Sequence, residues 1–182
     1  MKNYIIVPIE NLPECIKSLS AKQPFSCIIN AIPQNEGITI GLSLTSDFSA
    51  ENIPEDVKTT IIESQHKGGT IISFKDNITL FEFSEHNVDY KPLICSYLKE
   101  KGINCSIDNN DILCDGFKVA GDMLRNINKT TYLYAIHISI NVDINLINKI
   151  CTKPMDKLPR GLSFYGIKRE DILSYLKVPD AL

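Results

Sequence analysis

The amino-acid sequence predicts an α+β fold, a mixed and mostly antiparallel sheet with helices packed against it. Short runs rich in Ile, Val, Thr and Tyr recur from end to end, while helical spacing of apolar residues is confined to a few stretches between them. With 182 residues, 43% of them hydrophobic, the chain can bury one good core, and a single domain over 1–182 is expected.

Residues 3–9 read as a strand that Pro8 confines to an edge or an end. Asn11, Pro13 and Glu14 then open a short helix carrying Cys15, Ile16 and Leu19 at helical spacing. Residues 25–31 and 37–44 form two strands joined by a loop. In the second, Ile38, Ile40 and Leu42 alternate with Thr39, Gly41 and Ser43, so one face is buried, and Gly41 marks a close backbone approach or a bulge. Residues 58–64 are strand-like and run into Lys67-Gly68-Gly69-Thr70, a pair of glycines that fits either a ligand-facing loop or a hairpin turn.

Residues 78–84 make a further strand. The clearest helix is 90–101, with Leu93, Ile94, Tyr97 and Leu98 as its core stripe and Gly102 as its stop. The longest strand pattern, 131–142, is placed at the centre of the sheet. Asp143 caps a helix over 144–151, an irregular segment follows over 153–166, and a last amphipathic helix spans 168–176.

Bulk chemistry excludes several classes of function. A net charge of −3 leaves no footprint for nucleic acid. No run of about twenty apolar residues is present to span a membrane as a helix. The N-terminus has one lysine and a short apolar run broken by Pro8, which is no signal-peptide pattern, so a cytoplasmic protein is expected. Cys15, Cys27, Cys95, Cys105, Cys114 and Cys151 stand singly, which reads as reduced core thiols without a zinc site.

The stretch from Asn109 to Gly121 carries the most chemistry. Asp115-Gly116 supplies the positive φ angles of a two-residue turn between a short strand ending at Cys114 and a returning strand from Phe117. Lys118 emerges from apolar neighbours, so partial desolvation of its ammonium is expected, which strengthens its hold on an anion or carbonyl. Asn110 and Asp111 put an amide and a carboxylate near the same end of the sheet. Taken alone, these residues also describe a surface turn and a solvated lysine. His137 reads either as a core histidine or as a site residue.

The motif Asn-Asp-Ile-Leu-x-Asp-Gly-x-Lys-Val-Ala-Gly resembles the catalytic hairpin of the biotin and lipoate protein ligase family, with its octanoyltransferase relatives. The resemblance implies that Lys118 is catalytic, holding the carboxyl or carbonyl end of an acyl group and its acyl phosphate. Asn110 and Asp111 then lie at the nucleotide side, Asp111 as a magnesium ligand. The stretch around Gly68 and Gly69 is similar to the family's glycine-rich loop, Asn77 matches its asparagine, and Lys67 stands for the arginine of the octanoyltransferase form. Ile140-Asn141-Val142-Asp143-Ile144 resembles the family's Leu-Asn-Val-Asp-Leu, which closes the acyl pocket. Substrate- or nucleotide-binding roles are thereby implied for Lys67, Gly68, Gly69, Thr70, Asn77, Asn110, Gly121, His137 and Asn141. Glu63 and Ser64 depart from the family by replacing its paired arginines, and the glycine-arginine loop of the biotin enzymes is absent, which favours lipoate.

The same resemblance implies a fold like that of class II aminoacyl-tRNA synthetases and biotin synthetases. It implies ATP and Mg2+ as cofactors and lipoate, octanoate or biotin as the acyl substrate. The acid is activated as its adenylate and passed to a lysine of a lipoyl carrier domain, of the 2-oxoacid dehydrogenase E2 or glycine-cleavage H protein type. An accessory chain would replace the C-terminal domain many ligases carry. Alternatives are an ATP-free lipoyl/octanoyl transferase using a Cys151 thioester, a biotin protein ligase, and a degenerate domain that binds the carrier without activating anything. Lys157 and Arg160, in a segment similar to the family's Pro-x-x-Lys-Leu, face either phosphates or solvent.

Overall fold

The computed structural model describes residues 3–22, 26–33, 37–42, 47–63 and 70–180, so Lys67, Gly68 and Gly69 lie outside the described residues. In chain order the elements are β1 (Asn3–Pro8), α1 (Leu12–Ser20), β2 (Cys27–Ile32), β3 (Ile38–Leu42), β4 (Thr59–Glu63), β5 (Ile71–Phe74), β6 (Ile78–Ser84), α2 (Lys91–Glu100), β7 (Cys105–Asp108), β8 (Asp111–Cys114), β9 (Phe117–Asn126), β10 (Tyr132–Ile138), α3 (Ile144–Ile150) and α4 (Arg169–Leu176).

Seven strands make the main sheet in the order β1-β2-β6-β10-β9-β8-β7, with only β1 and β2 parallel. The expected mixed, mostly antiparallel sheet with flanking helices is therefore present. Pro8 ends β1 at the sheet's edge, where its missing N–H costs no ladder bond. The longest strand pattern supplies β10, paired on both sides by β6 and β9, which makes it central as expected.

The chain differs from expectation in having a second sheet, β4-β3-β5, whose central strand runs parallel to β4 and antiparallel to β5. Ile38 and Ile40 bury with Ile150 of α3 in a small core of their own, which keeps β3 away from β2. Gly41 is paired regularly, and an added Cβ would sit 3.6 Å from the Ile71 side chain, an ordinary contact, so the expected bulge or close approach is not found there.

One face of the main sheet is covered by α2 and α4, where Ile94, Leu98, Ile172 and Leu173 meet Ile112, Tyr134, Ile136 and Ile138. The other face, at the β1-β2-β6 end, is covered by α1 through Leu12 and Leu19. Leu93 is exposed, and Cys95 takes the buried place on α2. The expectation of reduced thiols is corrected at two positions: Cys95 and Cys105 form a disulfide, their Cα atoms 5.8 Å apart. The packing of α2 on β7 brings them together, and spacing alone carries no such connectivity. Among the described residues, no helix is long and apolar enough to cross a membrane.

Candidate acyl-binding site

The Asp115-Gly116 turn forms as its residues dictate, with φ of 49° and 84°. The returning strand then departs from a plain hairpin. Asp111 pairs with Gly121 and Ile112 with Ala120, but Leu113 pairs with Lys118, leaving Val119 as an extra residue. In a regular strand positions three apart face opposite sides; the bulge lets Lys118 and Gly121 share one. A Cβ on Gly121 would lie 3.2 Å from both Lys118 Nζ and Asp111 Oδ1. The glycine thus leaves room for these side chains to cross the sheet, and they meet at 2.8 Å.

Asp111 is gripped twice, because Lys157 Nζ lies 2.8 Å from its Oδ2 and 2.8 Å from Asp108 Oδ2. Burial alone would raise the Asp111 carboxyl, but hydrogen bonds and charge from Lys118 and Lys157 outweigh it and hold the group below the usual carboxylate range. Lys157 is raised by its hydrogen bonds to Asp108 and Asp111. Lys118 is 41% exposed, more solvated than expected, because Val119 and Ala120 turn into the core instead of shielding it.

In this arrangement Asp111, the expected magnesium ligand, is engaged by two ammonium groups. Both Asp111 oxygens already accept from ammonium groups, and no cluster of metal-ligating side chains occurs among the described residues.

From Asp111 a row of residues crosses the sheet in register: Gly121, His137, Thr79, then Ala31. His137 Nδ1 and Thr79 Oγ1 are 3.0 Å apart, and His137 Nε2 is buried without a hydrogen-bond partner. Burial, then the positive charge of Lys118, pushes the imidazole down to about 4, so it is neutral at physiological pH. The row sets small side chains on either side of one neutral imidazole, with Thr79 and Ala31 buried at its inner end.

The remaining sequence-predicted residues lie elsewhere. Asn110 is exposed in the β7–β8 turn, its carbonyl accepting from Asp122 N at 2.8 Å. Thr70 Oγ1 is buried and unpartnered. Asn77 is fully buried, and its Oδ1 accepts from the backbone N–H groups of Ile140 and Asn141, both at 2.9 Å. Asn141 donates to Asp76 at 3.1 Å. Asn77 and Asn141 therefore share a second cluster beyond the end of β10. Its hub, Arg169, was not singled out by sequence: its guanidinium bonds the Asn77 carbonyl at 2.6 Å, Asn30 at 3.1 Å and Asp180 at 2.8 Å.

The irregular segment joins the hairpin. Lys118 N donates to Leu158 O and Arg160 N to Lys118 O, so Leu158–Arg160 continues the sheet edge beside the lysine. Gly161 makes the close approach sought at Gly41, since a Cβ there would be 2.3 Å from Ile140 O. A cleft of about 490 Å³ opens on this segment between Phe117, Val142, Ile144 and Phe164. Cys151, the transferase candidate, sits at the end of α3 bridged to Phe48, and burial and then Asp47 raise its thiol, the opposite of activation.

No family model and no curated protein sequence matches the chain. Solved structures do. LipL1 of P. falciparum in complex with lipoate is 17% identical with a TM-score of 0.69, over 97% of this chain and 58% of that one. A bi-partite lipoate protein ligase from Thermoplasma acidophilum, solved with its E2 lipoyl domain, is 8% identical with a TM-score of 0.71, over 97% and 82%. A lipoate-protein ligase A bound with ATP is 11% identical with a TM-score of 0.66, over 97% and 83%. The chain thus spans little more than half the length of the first of these. At such identities the likeness is one of fold, and the chain has the fold of lipoate protein ligases, as the hairpin resemblance implied.

Proposed function

We propose that the chain activates lipoate, or a related acyl acid, with ATP and transfers the acyl group to a lysine of a lipoyl carrier domain. The observation that carries this reading is the Lys118–Asp111 pair lying over Gly121 at the head of the Gly121-His137-Thr79-Ala31 row. The acid's carboxylate takes the place of Asp111 on Lys118, and its apolar tail follows the row. Attack of that carboxylate on the α-phosphorus of ATP breaks the bond to pyrophosphate and leaves an acyl adenylate. A deprotonated carrier lysine then attacks the carbonyl, AMP departs, and Lys118 offsets the negative charge that develops on the carbonyl oxygen. Holding the two reactants together supplies the rest, since the adenylate is already activated.

The raised Cys151 thiol favours this route over a thioester transferase. Structures of the same fold with lipoate, with ATP and with an E2 lipoyl domain support the choice of substrates, and the bi-partite ligase supports a separate accessory chain.

Mass spectrometry of an unacylated carrier domain incubated with the chain, ATP, Mg2+ and lipoate tests the reading. The expected result is an ATP-dependent gain of one lipoyl mass. A gain only from a pre-acylated donor identifies a transferase, and a gain only with biotin a biotin ligase. No gain from any of them, with or without an accessory chain, overturns the enzymatic reading in favour of a carrier-binding domain.

A further inference from the structure

We propose that the cleft beside Phe164 is the docking surface for an acidic, apolar-tipped loop of the carrier domain, seating the carrier next to the acylating lysine. This rests on the acyl-transfer reading of Lys118. Phe164 and Leu158 are 69% and 54% exposed, large apolar side chains at the two ends of one short segment. Between them Arg160 is stacked on aromatic faces, its guanidinium carbon 3.3 Å from the Phe117 ring centroid and 4.3 Å from that of Phe164. An exposed phenylalanine and leucine around a pre-set arginine are the composition of an interface centre, where a rigid fork loses little freedom on binding.

Charge decides the occupant. The neighbouring cations of the segment are paired, Lys153 with Asp47 and Lys157 with Asp108 and Asp111. Arg160 has no carboxylate within ion-pair distance among the described residues; its side-chain partner is the Tyr165 hydroxyl at 3.4 Å. A cation held by rings, flanked by apolar side chains and lacking its counter-ion, fits a carboxylate beside an apolar residue on a protein loop. The position fits a carrier, because Leu158–Arg160 is hydrogen-bonded directly to the Lys118 backbone, one strand spacing of about 4.8 Å away. A lysine next to the docked loop therefore needs to cross only the width of one strand.

The test separates docking from activation. For wild type, Phe164→Asp and Leu158→Glu, three quantities are measured: lipoate-dependent ATP–pyrophosphate exchange without carrier, transfer to the carrier over a range of carrier concentrations, and carrier binding by titration. Both substituted residues are exposed, so folding is not at stake, and thermal melting checks it. The expected result is exchange within about twofold of wild type, with carrier KM and Kd raised about tenfold or more and kcat at saturating carrier retained. Unchanged carrier KM and Kd overturn the proposal. Loss of exchange alongside transfer also overturns it, placing the cleft in the nucleotide or acid site. A change from dimer to monomer with carrier binding intact overturns it in favour of a contact between copies. If wild type shows neither exchange nor transfer, the reading of Lys118 fails, and the titration alone decides whether the carrier docks here.

Discussion

Two polar clusters flank β10, and they use their charges in opposite ways. Around Arg169 the cation is buried and spoken for: the guanidinium binds a backbone carbonyl, Asn30 and the half-exposed Asp180, while Asn77 holds two backbone N–H groups. Around Lys118 the charges face each other over a glycine, part of them in solvent, and nothing in the backbone depends on them. Buried charges whose partners are backbone and chain end hold the fold together. Half-open charges paired with a carboxylate can exchange that carboxylate for another, which is what an acid-binding site requires.

Substitutions should therefore divide cleanly between stability and activity. Arg169→Ala leaves the buried Asn30 side chain and Asn77 carbonyl without their shared donor and is expected to destabilise by about 2–4 kcal/mol, read by chemical denaturation. Lys118→Ala should do the reverse: transfer falls about 10²–10³-fold, while stability moves by less than about 1 kcal/mol, as for an exposed pair. A loss of several kcal/mol at Lys118 would erase the contrast.

His137 lies on the Lys118 side of the divide with its Nε2 buried and unpartnered, and pH reads out that burial. Its value falls from 6.5 to about 4 on folding, so it contributes stability that is fully present above 6.5 and lost as pH drops through about 4. His137→Gln should remove about 3 kcal/mol of the acid-induced loss across that window, seen by comparing melting of variant and wild type at each pH. Gly121→Ala has the smallest expected effect. Its new methyl meets the flexible end of Lys118 at 3.2 Å, so transfer should fall about tenfold with melting nearly unchanged, the misplacement costing far more in chemistry than in packing.

What the sequence revealed follows the same division between local and distant causes. The Asp115-Gly116 turn was legible because two adjacent residues dictate it, and β10 because an apolar, aromatic and β-branched run extends through its whole length. The bulge at Val119 was not legible, because it depends on the register of β8 against β9. Asp108 and its bond to Lys157 join residues from separate segments, and no spacing foretells them. Arg169 looked like an ordinary polar position of an amphipathic helix, and only the folded chain shows that Asn30 and Asp180 surround it. Glycines misled in the same way: Gly41 interrupts a strand pattern yet meets ordinary contacts, whereas Gly161, in a segment with no pattern, lies against the backbone of Ile140.

The exchange of Asp111 for a substrate carboxylate on Lys118 is tested most directly by equilibrium binding of a non-hydrolysable lipoyl-adenylate analogue to wild type, Lys118→Ala and Asp111→Asn. Lys118→Ala should weaken binding about a hundredfold or more, while Asp111→Asn, which frees the ammonium, should bind at least as tightly as wild type. Equal affinity for wild type and Lys118→Ala would contradict the placement of the acyl group on this lysine.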